Sequence, residues 1–275
     1  MSELYRTHLE EYAEKYKEFL RFRRDRGILE MRLHTDDGPL VWSPQGHRGI
    51  RPALFDINMD PDNECLIVTG TGDTFLGPFS HHPGWKEQGF SHPSWNQGGP
   101  PPLFTEAQAY DIQLKTQTRL ISGLLDMQIP VIGALNGPCI AHAELVLVND
   151  IVLCSENATI KDAHWAGGVV PGDGCEILFR HLLGPNRARY FLWMVQELSA
   201  QESLQLGLVG EVLPREKLLD RAWEIADKAF LSKSRIHRRL ARQMFAQPWR
   251  EIYARSIDSQ VAHQALGAAL RSMQG

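Results

Sequence analysis

The chain has 275 residues, of which 43% are apolar and 23% charged, with a formal net charge of −4. This is enough for one α/β domain plus an appendage with a full core, and no run approaches the roughly 18 uninterrupted apolar residues of a membrane span. The slight negative charge and the absence of common nucleic-acid motifs argue against a phosphate-backbone binder, and the Met1 end lacks an apolar signal-peptide core, so a cytoplasmic protein is expected.

Leu9, Tyr12, Tyr16 and Leu20 lie on one helical stripe with Glu and Lys between them, which predicts an amphipathic N-terminal helix. Leu20 and Phe22 alternate with arginines up to Asp25-Arg26-Gly27, and Leu29, Met31 and Leu33 alternate with Glu30, Arg32 and His34. That is the pattern of a β-hairpin about a glycine turn. A short strand, Leu40-Val41-Trp42, leads to His47 and a helix over 52–59 with Pro52 in its first turn. Cys65-Leu66-Ile67-Val68 reads as a buried strand ending in Thr69-Gly70-Thr71-Gly72, either a plain βα turn or one whose amides approach a ligand. Residues 78–102, rich in Pro, Gly, His and aromatics, form a long loop, either a lid over an apolar substrate or a packed surface loop. Thr105 with Gln108 makes a capping box for a helix reaching about Met127.

The stretch over 133–174 organises the rest. A strand over 131–135 runs into Asn136-Gly137-Pro138 and then Ala141-His142-Ala143-Glu144; a strand over 151–154 precedes His164 and Pro171-Gly172-Asp173-Gly174. Each histidine or acid follows a strand or opens a helix or turn, where side chains and bare N–H groups are held in fixed positions. Helices follow over 177–183 and 187–195, a third is capped by Ser199 with Glu202, and a strand covers 209–213. Pro214 then opens a long helix, and 232–273 is helical. Strands alternating with helices, then helices alone, predict an α/β core of repeated strand–strand–helix turns over 1–200 and an α-helical region over 201–275 that packs against other subunits. Cys65, Cys139, Cys154 and Cys175 are scattered as reduced core thiols are. The basic run Lys233, Arg235, His237, Arg238, Arg239 and Arg242 reads as a solvated helix face or subunit contact rather than a phosphate site. No histidine pair has the helical spacing of a metal motif, so no metal is expected.

Thr69-Gly70-Thr71-Gly72 with Phe75, Asn136-Gly137-Pro138, Glu144-Leu145, Asp150-Ile151-Val152, Ala158-Thr159 and Pro171-Gly172-Asp173-Gly174 resemble, in order and spacing, the crotonase (enoyl-CoA hydratase/isomerase) superfamily over residues 20–230. The resemblance implies a spiral of ββα turns with a helical C-terminal trimerisation region, assembled as trimers or dimers of trimers. It also implies an oxyanion hole of two backbone N–H groups, here from Leu76-Gly77-Pro78-Phe79, in which Pro78 has no N–H, and from His142-Ala143. Acyl-CoA hydratases carry three glycines ahead of a first catalytic glutamate, and a second glutamate before the Pro-Gly turn. Here Ala141-His142-Ala143 replaces the glycines, His164 stands for the second glutamate, and the turn carries Asp173. These departures, with Leu40-Val41-Trp42, His47 and the run from Gly184 to Phe191, resemble the branch of 6-oxocamphor hydrolase and related β-diketone hydrolases. Those enzymes cleave a carbon–carbon bond between two carbonyls without a cofactor, and Gln264 falls where the branch has a functional glutamate.

Retro-Claisen hydrolysis needs a base for water, donors for an oxyanion and then an enolate, and an acid for the enolate carbon. The resemblance assigns His164 as base with Asp173 orienting it, His142 and His47 as donors to the carbonyl oxygens, and Trp42 as an apolar wall. Glu144 is an acid, a base or a support for His142. A second reading is an acyl-CoA hydratase, isomerase or hydrolase with His164 in the glutamate's place. A third is a non-catalytic subunit, which predicts eroded rather than enriched polar residues.

Overall fold

A computed structural model gives the fold and describes residues 6–42, 44–76 and 118–272. Strands β1 (Leu20–Asp25) and β2 (Ile28–Leu33) pair antiparallel across Arg26 and Gly27, whose φ angles of 49° and 83° make the primed turn that matches strand twist. From β2 the sheet continues in parallel through β3 (Cys65–Gly70), β4 (Val131–Leu135) and β5 (Ile151–Ser155). Its far edge is β8 (Glu211–Leu213), a strand from beyond residue 200. Parallel strands are buried on both faces, and here Leu66, Val68 and Val131 face one core while Ile67, Ile132 and Leu153 face a second. Glu30, expected on an outer face, is therefore buried and accepts from the Trp223 indole at 2.9 Å.

A second, thinner layer is built from single bridges. Leu40 pairs with Leu76, Leu76 with Cys139 and Cys139 with Ile160, all parallel; Ile160 lies in β6 (Thr159–Lys161), which pairs antiparallel with β7 (Glu197–Ser199). Among the described residues the same unit thus recurs four times: β2, Leu40 and α2 (Pro44–Met59); β3, Leu76 and α3 (Thr118–Leu125); β4, Cys139 and α4 (Glu144–Leu147); β5, β6 and α5 (Cys175–Leu183). This is the expected spiral of ββα turns.

The first helix, α1, spans only Leu9–Lys15, and Leu20 of the predicted stripe begins β1. The strand expected over 40–42 is reduced to the Leu40 bridge. Pro52 lies well inside α2 rather than in its first turn. Burial of Ile50, Ala53, Leu54 and Ile57 on one face outweighs the backbone bond that proline removes. Of the helix predicted from Thr105 onward, Thr118–Leu125 is described; Thr105, Gln108 and the loop over 78–102 lie outside the described residues. Helix α6 (Pro185–Trp193) follows α5, both bonds of the Ser199/Glu202 capping box are formed ahead of α7 (Ala200–Gln205), and α8 (Arg215–Ile225) runs into one π-helical turn. All four cysteines are free and buried. No helix among the described residues is long and apolar enough to cross a membrane.

The last helix, α9 (Arg235–Ser272), corrects part of the reading of the basic run: Lys233, Arg235 and His237 are exposed as a solvated face requires, but two arginines are not. Arg238 and Arg242 are buried rather than solvated, and Arg235 and Arg238 both pair with Glu64. Arg242 places Nε 3.0 Å from Asp150 and donates to the Leu124 carbonyl at 2.8 Å; Arg250 donates to the Leu125 carbonyl at 3.0 and 2.7 Å. Leu124 and Leu125 end α3, and exposed carbonyls at a helix C-terminus attract cations. Farther along, Tyr253 donates to the Gly174 carbonyl at 3.1 Å, and Gln260 and Gln264 pack directly on Gly172. Thus α9 straps the turn that carries Asp173.

Burial lowers the proton affinity of Arg242 and raises that of Asp150, so their pairing is costly to break although it adds little by itself. Arg242→Ala is expected to lower stability to urea by about 3 kcal/mol, whereas Arg235→Ala, at a side chain 54% exposed, changes it by less than about 1 kcal/mol. Gly172→Ala would place a Cβ 2.3 Å from the Gln260 carbonyl oxygen. The same urea titration should register a loss of about 1–3 kcal/mol as α9 is pushed from the turn.

Candidate active site

The segments leaving the small layer bring the predicted residues together. Trp42 follows the Leu40 bridge, His142 follows Cys139, and His164 follows β6, while Asp173 stands just ahead of α5, where the N-terminal dipole favours an anion. His142 is held at φ 54°, a left-handed conformation that costs a non-glycine residue about 1 kcal/mol or more and that clusters at functional sites. This backbone lets its carbonyl open α4, accepting from Leu145 N–H at 3.1 Å, while the ring turns back toward Trp42. The Trp42 and His142 rings stack with centroids 4.1 Å apart. An indole face so placed favours a protonated imidazole.

The histidines and acids form one continuous chain. Nδ1 of His142 lies 2.8 Å from Glu144 Oε1 and 3.8 Å from Asp173 Oδ2; Nε2 of His164 lies 3.0 Å from that same Asp173 oxygen, off the line of its N–H. The other side of the His164 ring meets Asp162, with Nδ1 3.1 and 3.0 Å from its two oxygens. All five side chains are buried. Burial by itself would strip the proton from each ring, but Glu144 and Asp173 hold His142 above its ordinary range, and Asp162 and Asp173 hold His164 well above it. Asp173, which burial would push up, is held below the usual carboxylate range by His164 and His142. Glu144 moves the other way, raised by burial. Three acids against two imidazoles leave one negative charge in excess, and in an apolar setting that excess is relieved by a proton on an acid.

Ala143 N–H has no acceptor among the described residues, as an oxyanion donor requires. Leu76 is different. Its amide donates to the Pro138 carbonyl at 3.3 Å and its side chain is fully buried, so this residue builds the small layer instead of offering an N–H. Gly77, Phe79 and the side chain of His47 lie outside the described residues, although His47 itself falls at the start of α2. Gln264 is buried, with Oε1 unpartnered among the described residues.

Sequence reasoning missed Asp162. The available signal was an acid two residues before a histidine at a strand end, the spacing of an Asx turn, and Asp162 does accept from the His164 N–H at 3.2 Å. Asp162, His164 and Cys175, and beside them His142, Glu144 and Asp173, each bring metal-capable atoms within 4.8 Å of one another. An ion there would have to displace imidazole contacts that already balance the carboxylates, and burial holds the Cys175 thiol protonated, so we assign none.

Residues 104–269 match the enoyl-CoA hydratase/isomerase family. Among characterised relatives, the chain is 25% identical over 213 residues to a carnitinyl-CoA dehydratase of Salmonella enteritidis, covering 77% of this chain and 74% of that protein. It is 29% identical over 195 residues to a crotonyl-CoA hydratase of Syntrophomonas wolfei, covering 70% and 68%. Among solved structures, a β-diketone hydrolase from Anabaena sp. PCC 7120 bound to (S)-3-oxocyclohexyl acetic acid superposes with a TM-score of 0.84 at 35% identity, over 95% of this chain and 98% of that one. An enoyl-CoA hydratase/isomerase from Mycobacterium paratuberculosis shares the fold at 21% identity, with a TM-score of 0.75 over 91% and 94% of the two chains. With the ββα spiral, the site at its edge and these likenesses together, the chain belongs to the enoyl-CoA hydratase/isomerase family, the crotonase superfamily of enzymes.

Proposed function

We propose that this enzyme is a cofactor-independent hydrolase of the cytoplasm that cleaves a cyclic or bicyclic β-diketone to a keto acid. The carrying observation is His164 in contact with Asp173, where an acyl-CoA hydratase has its second glutamate. The likeness to the Anabaena β-diketone hydrolase supports the same reading. Neutral His164 takes a proton from water as the water oxygen bonds to one carbonyl carbon. The tetrahedral oxyanion meets the Ala143 N–H. Its collapse breaks the carbon–carbon bond, and the electron pair passes to an enolate whose oxygen accepts a hydrogen bond from His142. The proton that His164 took from water is returned to the enolate carbon by way of His142, which completes the addition of one water. Trp42 keeps the His142 ring in place and closes an apolar side of the pocket.

A loss of diketone ultraviolet absorbance without coenzyme A is expected with wild type, and a fall of about a hundredfold or more in kcat with His164→Ala or Asp173→Asn. Full turnover of acyl-CoA esters with no action on a panel of diketones would instead favour the hydratase reading, which the crotonyl-CoA hydratase relative keeps in view.

Because His164 binds its proton more tightly than a free histidine, the neutral base accumulates only above the ordinary value of about 6.5. A pH–rate profile of kcat/KM should therefore climb on the alkaline side of that value. The folded ring's extra stability is fully present below the same value and is lost as pH rises through the folded pKa. Urea midpoints should decline in the window where the rate climbs.

A homotrimer or dimer of trimers fits the outer face of α9, where Ile236, Leu240, Met244 and Phe245 are all more than half exposed at helical spacing. Light scattering should return three or six times the chain mass; a monomer would overturn the assembly.

A further inference from the structure

Asp162 is absent from the chemistry so far, yet it makes the tightest set of contacts to the base. Its carboxylate faces Nδ1 of His164 with both oxygens, at 3.1 and 3.0 Å, and also accepts from the His164 N–H at 3.2 Å. One side chain thereby holds both the backbone and the ring of the same residue. Loop geometry adds to this: the His164 carbonyl accepts from Val169 N–H at 2.8 Å, and Ala163 and Trp165 close further turns onto Gly167 and Gly168. Asp162 is itself buried, at 3% exposure, beside the end of β6. An acid so placed gains nothing from solvent. What balances it is the imidazole N–H.

Resting on the assignment of His164 as the proton-transfer group, we propose that Asp162 is a positioning residue that keeps a proton on Nδ1, leaving Nε2 as the atom that exchanges protons with Asp173 and water. The consequence is a division of labour between two aspartates. Asp162 sets ring orientation and tautomer from behind, as the buried acid of a triad does, and Asp173 stands on the reacting side, with His142 3.8 Å beyond it. Other titratable groups facing the ring neighbourhood are Cys175 from the start of α5, Glu144 and His142 from the start of α4, and Tyr253 from α9, whose hydroxyl donates to Gly174. Asp162 and Asp173 are the two acids in direct contact with the ring among the described residues.

The test reads the ring without any substrate. Nitrogen-15 imidazole spectra, assigned through His164→Gln, are titrated for wild type, Asp162→Asn and Asp162→Glu. Asparagine preserves the Asx turn and can still accept from Nδ1–H, so it removes charge with little change of shape. Wild-type His164 should carry protons on both nitrogens at neutral pH. Asp162→Asn should weaken its proton affinity about tenfold or more, a shift of about one pH unit, and Asp162→Glu should recover most of that. The alkaline climb of diketone hydrolysis should move to lower pH by the same interval. A wild-type ring that titrates at or below about 6.5, or one that Asp162→Asn leaves unmoved while circular dichroism stays native, overturns the proposal. If Asp162→Asn fails to fold, the wild-type titration and Asp162→Glu decide the matter. Inactivity toward diketones with the expected titration would sink the hydrolase reading and leave the role of Asp162 intact.

Discussion

A histidine wedged between two buried carboxylates is the interaction around which this molecule makes sense. Removing Asp162, His164 and Asp173 from water is costly for each of them alone. Together they compensate one another, because both acids lie against the one imidazole ring and the ring lies between two acids. Charge then spreads outward through Asp173 to His142 and Glu144, and the excess negative charge is relieved at Glu144, the acid whose affinity for a proton rises. The site is an electrostatic unit, in which the proton affinity of each residue depends on the charge of its neighbours.

That unit is possible only because the fold repeats one placement. In each ββα turn the chain leaves a strand of the main sheet, joins the small layer through a single bridge residue or, in the last turn, through β6, and a helix follows. Trp42, His142 and His164 occupy this same interval in three turns, so their side chains converge although more than 120 residues separate the first from the last. Converging strand ends offer rigid attachment points, which is what side chains held at about 3 Å from one another demand. The left-handed backbone at His142 is the local cost of bringing the ring round to Trp42 while its carbonyl starts a helix.

The C-terminal helix ties the remote parts together. Its first half is pinned by arginines to Glu64, Asp150 and the end of α3, and its second half bears on Gly172 and Gly174, the residues flanking Asp173. A glycine at 172 is needed because the helix backbone comes too close for a Cβ. The strap thus connects global stability to the position of Asp173.

The hairpin at Gly27, the buried strands, the capping box at Ser199 and the motif order of the family were all legible in the residues, because they rest on local periodicity, turn chemistry and spacing along the chain. His142, His164, Asp173 and Trp42 could likewise be singled out by position. Three things could not be read this way. Pro52 inside α2 was decided by burial of the helix's apolar face; Arg238 and Arg242 of the basic run became internal struts because acids and carbonyls distant in sequence lie beneath them. Asp162 meets the His164 ring for the same reason. Sequence showed an acid near a histidine, but only tertiary packing, by excluding water and setting Asp173 against the opposite nitrogen, made that acid part of the site. Local patterns specify which elements form and which side chains are available, whereas the balance of buried charge depends on contacts between segments far apart in the chain, and that is settled only when they meet.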